Sequence, residues 1–176
     1  MDSSEVIGSG GLMKQQRFFS GFILVGFSIY LFFQEANITI FPNFFEWPTL
    51  LIIVGISFLG QAFLAQDYEA ILPGVILFGF GLHFHVINQL KLWPDHIGVF
   101  ILIIALGFLL RFQKTRTGFF QGALFLILAI LLLFYDQIFQ WLGITEVDSA
   151  FVWRILPAIL LVLGFTFFLI RDKKIG

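Results

Sequence analysis

Trp47-Pro48-Thr49-Leu50-Leu51-Ile52-Ile53-Val54-Gly55 sets an aromatic anchor and a helix-starting proline ahead of an apolar run that ends in glycine. Proline suits the first position of a helix, where its missing N–H would be unpaired in any case. The Pro-to-Gly part returns as Pro157-Ala158-Ile159-Leu160-Leu161-Val162-Leu163-Gly164, shortly after Trp153. A looser copy follows Trp93-Pro94 and reaches Gly107. The recurrence predicts membrane helices made by repeating one hairpin. It names no reaction.

Composition supports the membrane reading. The chain is 59% hydrophobic and 12% charged, with a mean hydropathy of +0.98, too apolar for a soluble domain of 176 residues. Its 26 Phe suit a lipid-facing surface and gaps between helices. The absence of Cys excludes disulfides, thiolate metal sites and a cysteine nucleophile. No basic face exists beyond short flanks of the apolar runs, so nucleic acid is not an expected partner. No cofactor is expected either.

Crossing about 30 Å of hydrocarbon takes about 20 apolar residues in a helix. Six runs qualify or come close: 18–33, 48–65, 71–87, 94–110, 119–135 and 152–170. None has Asp, Glu, Lys or Arg in its middle, and all are continuous rather than alternating, which argues for helices against barrel strands. Residues 1–12 include Ser9-Gly10-Gly11 and precede Met13-Lys14, which predicts a disordered tail or the remnant of an added leader. Residues 13–176 are then one six-helix transmembrane domain.

The positive-inside rule orients the chain. With the N-terminus inside, the inner side holds Lys14, Arg17, Arg111, Lys114, Arg116, Arg171, Lys173 and Lys174, and the outer side only Lys91 and Arg154. Both termini are therefore expected in the cytoplasm. Trp47, Trp93, Trp141 and Trp153 then fall at outer helix ends or in outer loops, where amphipathic rings prefer the headgroup layer. The outer loop 35–47 carries enough Ile and Phe to lie against the bilayer or the bundle mouth, and 136–151 suits a short interfacial helix.

Odd and even runs each have their own pattern. Gly21-Phe22-Ile23-Leu24-Val25-Gly26-Phe27 matches Gly74-Val75-Ile76-Leu77-Phe78-Gly79-Phe80, and Gly122 keeps the first glycine. The expected fold is an all-α membrane protein whose six helices form three in–out–in hairpin repeats, at 17–68, 69–117 and 118–174.

Polar residues inside apolar runs are the candidates for chemistry. His83 and His85 lie near the outer end of the third run, followed by Asn88 and Gln89, and Asp95 and His96 open the fourth. These six form a candidate outer binding cluster. Two residues turn a helix by about 200°, so one metal cannot take both His83 and His85 without distortion. A set of His85, Asp95 and His96 is geometrically possible. Ser57 beside Gly55 invites an intramembrane-protease reading with His83 as base, but no residue offers an oxyanion hole or orients that base. A serine in such a helix is commonly bonded to its own backbone. No buried carboxylate or lysine marks an ion relay.

The Gly-x-x-x-x-Gly-Phe helix followed by Trp-Pro and an apolar run ending Ile-Val-Gly resembles the LiaI/LiaF-like transmembrane region of bacterial envelope-stress proteins. That resemblance covers Arg17 to about Leu110 best. It implies a non-enzymatic protein of the bacterial cytoplasmic membrane that senses or relays envelope state through partner proteins, and it supplies no site residues. Three hairpins stand here where the family leads one to expect two. The expected function is a membrane scaffold or regulatory protein acting through lipid and membrane-protein contacts, with homo-oligomers possible. The alternative is a small-molecule or ion binding subunit of a membrane transporter with an outward-facing pocket.

Overall fold

The computed structural model describes residues 3–38, 40, 43–90, 96–141, 157–162 and 164–166. Among them the regular structure is entirely helical: α1 (Ser3–Glu35), α2 (Trp47–Leu64), a 3-10 turn (Tyr68–Ala70), α3 (Ile71–Leu90), α4 (Ile97–Thr115), α5 (Phe119–Leu133) and α6 (Tyr135–Trp141). Pro157–Thr166 is a further apolar helix. The chain divides into two compact units, Met1–Leu133 and Phe134–Gly176.

Among the described residues four helices are long and apolar enough to cross a membrane: Arg17–Glu35, Trp47–Leu64, Tyr68–Ile87 and Ile97–Thr115. In the fifth expected run α5 ends at Leu133 after 15 residues, and α6 begins separately at Tyr135. At about 1.5 Å per residue, α5 is close to 22 Å long, short of the hydrocarbon thickness. In the sixth run, 152–156, 163 and 167–170 lie outside the described residues. The fourth helix begins at Ile97 rather than Pro94 and continues past Arg111 to Thr115. Its end is set by Arg116, whose left-handed φ of 59° returns its N–H to the Phe112 carbonyl.

The first unit is a run of neighbours. α1 packs on α2, α2 on α3, α3 on α4 and α4 on α5, and the 3-10 turn touches α2, α3 and α4. Among the described residues of this unit no α-helix packs on another α-helix that is not its neighbour in the helix order. Burial is correspondingly thin: none of the Arg17–Glu35 window is buried, and no more than 33% of any other span.

Small residues set the spacing. A Cβ on Gly55 would stand 2.4 Å from the Phe78 backbone nitrogen, so α2 and α3 touch nearly backbone to backbone. The same contact also recurs along the chain. A Cβ on Gly26 would meet Ile53 Cγ2 at 2.5 Å, and one on Gly79 would meet Ile103 Cγ2 at 2.5 Å. Gly74 receives Leu59, whose Cδ2 would lie 2.9 Å from an added Cβ, and Gly122 receives Leu109 at 2.9 Å in the same way. Buried Pro48, Thr49, Gly55 and Ser57 of α2 correspond, at a constant offset of 50 residues, to buried Gly98, Val99, Ala105 and Gly107 of α4. At this offset Gly55 falls on Ala105, and Ser57 falls on Gly107. Small volume is what repeats, in whichever residue supplies it.

The Lys/Arg-bearing end is also ordered. Glu69 in the 3-10 turn pairs with Arg111, Lys114 Nζ lies 5.9 Å from the centre of the Tyr68 ring, and Gln61 Nε2 donates to Asp67 Oδ2 at 2.6 Å. The acidic connection between α2 and α3 therefore meets the basic end of α4. Ser57 donates to the Ile53 carbonyl of its own helix at 2.8 Å.

Candidate functional site

The polar residues at the tryptophan end fall into three separate environments. α3 makes two of them, since His83 and His85 leave the helix on nearly opposite sides. His83 is 5% exposed and turns toward α4, its ring 4.6 Å from Phe100 in an edge arrangement and 5.8 Å from Phe84. It lines a groove of about 250 Å³ with Gly79, Leu82, Val99, Ile103 and Leu106, a wall without a charged residue.

His85 turns the other way, toward α2. Its Nε2 lies 2.8 Å from Thr49 Oγ1, and its ring is parallel to Phe44 at 6.4 Å. Thr49, itself buried, donates its hydroxyl proton to the Phe44 carbonyl. A hydroxyl has one proton, so toward His85 it accepts, and Nε2 carries the hydrogen. The chain Nε2–H to Oγ1–H to carbonyl joins α3, the first turn of α2 and the loop before it. Tyr30 of α1 holds the same loop, donating to the Phe45 carbonyl at 3.0 Å with the two rings edge-on at 5.3 Å. Trp47 completes the cover by packing on Phe84 at 4.6 Å.

Pairing of a hydroxyl with an imidazole is also how a nucleophile and base are arranged, but proton direction separates the cases. A base must receive the hydroxyl proton, and here that proton is engaged with a main-chain carbonyl. The Thr49–His85 pair is a clip between helices.

His96 makes the third environment. Its backbone is extended, and its Nδ1 accepts from the Gly98 amide at 3.1 Å, capping α4. The three histidines are thus spent on three different tasks. Asn88 and Gln89 belong to the α3 backbone, but their side chains, and all of Asp95, lie outside the described residues, as do Lys91, Trp93, Pro94, Trp153, Arg154 and 171–174. Among the described residues no three His, Cys, Asp or Glu are grouped to hold a metal ion.

Sequence reasoning passed over Thr49 and the Glu69–Arg111 pair. Thr49 had a signal, being the one hydroxyl in the first turn of a largely apolar helix. Glu69 had one too, as an acid in a short connection at the basic end.

Comparison with known proteins adds one relative. The chain is 25% identical over 166 residues to YsxD of Bacillus subtilis (strain 168), an uncharacterized membrane protein, and the match covers 92% of this chain and 98% of that one. The chain is a multi-pass membrane protein. No family model matches it, and no solved structure does. The likeness to the LiaI/LiaF-like region therefore stands on its residue pattern alone.

Proposed function

We propose that this protein is a non-enzymatic scaffold or regulatory protein of the bacterial cytoplasmic membrane, working through lateral contacts with membrane proteins and lipids. The observation that carries the reading is the sequential packing of the helices, which leaves at least two thirds of each span unburied within the chain. A catalytic or transport pocket needs polar groups converging on one cavity. Here His83, His85 and His96 diverge, and Thr49 and Gly98 are bonded to two of them. The alternative of an ion or small-molecule binding subunit draws less support, because the groove beside His83 is walled by aliphatic residues.

The same reading includes six spans in three in–out–in hairpins with both termini in the cytoplasm. The recurring Gly26–Ile53 and Gly79–Ile103 contacts favour duplication of the hairpin, and the basic residues at the α4 end favour the orientation. Single cysteines introduced into this Cys-free chain at Lys114 and Lys91 test the topology by labelling with a membrane-impermeant maleimide in intact cells. Labelling at position 114, or protection at 91, sinks the orientation. The scaffold reading is tested by in-cell crosslinking and identification of the products, with and without cell-envelope stress. Recovery of no membrane protein or lipid partner under either condition refutes it.

A further inference from the structure

α3 and α5 each carry a pair of buried small residues seven apart, and the preceding helix packs on them at Gly74, Gly81 and Gly122. In α3 these are Gly74 and Gly81, and in α5 they are Gly122 and Ala129, all four buried. Leu59 of α2 fills the Gly74 seat, and Leu109 of α4 fills the Gly122 seat. At Gly81, an added Cβ would meet Ile52 Cγ1 at 2.6 Å and the Pro48 carbonyl at 2.7 Å. The seat is therefore a repeated piece of structure with a defined occupant, the Pro-to-Gly type of helix.

α1 carries the same pair. Gly21 and Ser28 stand 53 residues before Gly74 and Gly81, the offset that also relates Gly26 to Gly79. Both are exposed, and a Cβ on Gly21 would have nothing within 4 Å. Around Gly21 lies an open hollow of about 280 Å³, bounded by Arg17, Phe18, Phe22 and Val25 of α1 alone. Among the described residues α1 packs on α2 alone, and nothing fills this hollow in the way that α2 and α4 fill the seats on α3 and α5.

We propose that the Gly21/Ser28 face of α1 seats the Pro157–Thr166 helix of a second copy of this chain, so that the protein associates head to tail. The occupant follows from the two filled seats, which both take a Pro-to-Gly helix or its counterpart. Pro157, Leu161, Gly164 and Thr166 match Pro48, Ile52, Gly55 and Ser57 at one offset of 109 residues. Leu161 is 71% exposed, and a Cβ on Gly164 would have nothing within 4 Å. By the geometry of Gly81 against Ile52, Leu161 of one copy lies against Ser28 of the next. Such an interface is heterologous and produces rings or open chains rather than a closed two-fold dimer. The inference deepens the scaffold reading by naming one partner, a second copy, and rests on it.

The test uses two full-length copies with different tags, one carrying Ser28→Cys and the other Leu161→Cys, co-expressed and oxidised in native membranes with a membrane-permeant catalyst. The expected result is a reducible product bearing both tags, more abundant than either same-variant product. Gly21→Trp in the Ser28→Cys copy fills the hollow from outside and should cut the mixed product about tenfold or more. Since the Gly21 position is open, this variant should keep the parent's thermal unfolding. Single-chain species only, a dominant Ser28→Cys self-product, or a mixed product indifferent to Gly21→Trp each overturns the proposal. So does a dominant adduct of Ser28→Cys with a foreign protein, and that outcome leaves the scaffold reading standing. Loss of every partner, copy or foreign, removes both.

Discussion

Replacing Gly55 by alanine probes how closely α2 and α3 are held. The new Cβ would stand 2.4 Å from Phe78 N and 2.8 Å from Phe78 Cα, and both obstacles are main chain, which no rotamer change can move aside. Ordinary carbon contacts lie near 3.5 Å, so the helices must part by about 1 Å over their longest shared contact. Overpacking of this kind costs about 1–3 kcal/mol, against which alanine returns roughly 1 kcal/mol of helix propensity. Gly21→Ala supplies the control, because it has the same propensity gain and nothing within 4 Å. The difference between the two variants therefore isolates the steric part, about 1–3 kcal/mol, with Gly55→Ala the less stable. Reversible unfolding of the purified protein in mixed micelles reads it directly. Equal stability of the two variants would refute the close α2–α3 approach.

Other substitutions give distinct outcomes. Thr49→Val removes the acceptor for His85 Nε2–H within a buried site and should cost about 1–3 kcal/mol, whereas Thr49→Ser should retain most of it; equal losses in the same unfolding assay would dissolve the clip. His96→Ala should lower stability by about 1 kcal/mol and speed amide exchange at Gly98 and Val99 without reaching Ala105, so uniform exchange along α4 would argue against a cap. Glu69→Gln should cost no more than about 1 kcal/mol, because the carboxylate side is 64% exposed. A larger loss, or one insensitive to salt, would show that the Arg111 pair is shielded from water.

Much of this architecture is legible in the chain, and the reasons differ by element. Pro48 sits in the first turn of α2, one residue past its start at Trp47, where a missing N–H is tolerated, and continuous apolar runs mark α1 to α4 because a membrane leaves a backbone few options. Trp93-Pro94 imitates Trp47-Pro48 in sequence, but α4 starts at Ile97 behind a histidine cap. Buried small positions follow volume rather than residue name, since Gly55 and Ser57 of α2 stand 50 residues before Ala105 and Gly107 of α4. In the candidate site, periodicity separated His83 from His85 correctly. It could not name Thr49 as a partner 36 residues away, since helix-to-helix register is written in side-chain shapes rather than in spacing.

Contact between sequence neighbours alone also sets how the first unit is assembled. Its helices meet their neighbours in chain order, and pairings of short to moderate sequence separation favour fast folding and need little of the chain to be present. Each hairpin can settle as soon as its second helix has left the translocation machinery, without waiting for a distant strand or helix to close a ring. Under a pulling force the same arrangement gives way one helix at a time, in order from whichever end is held.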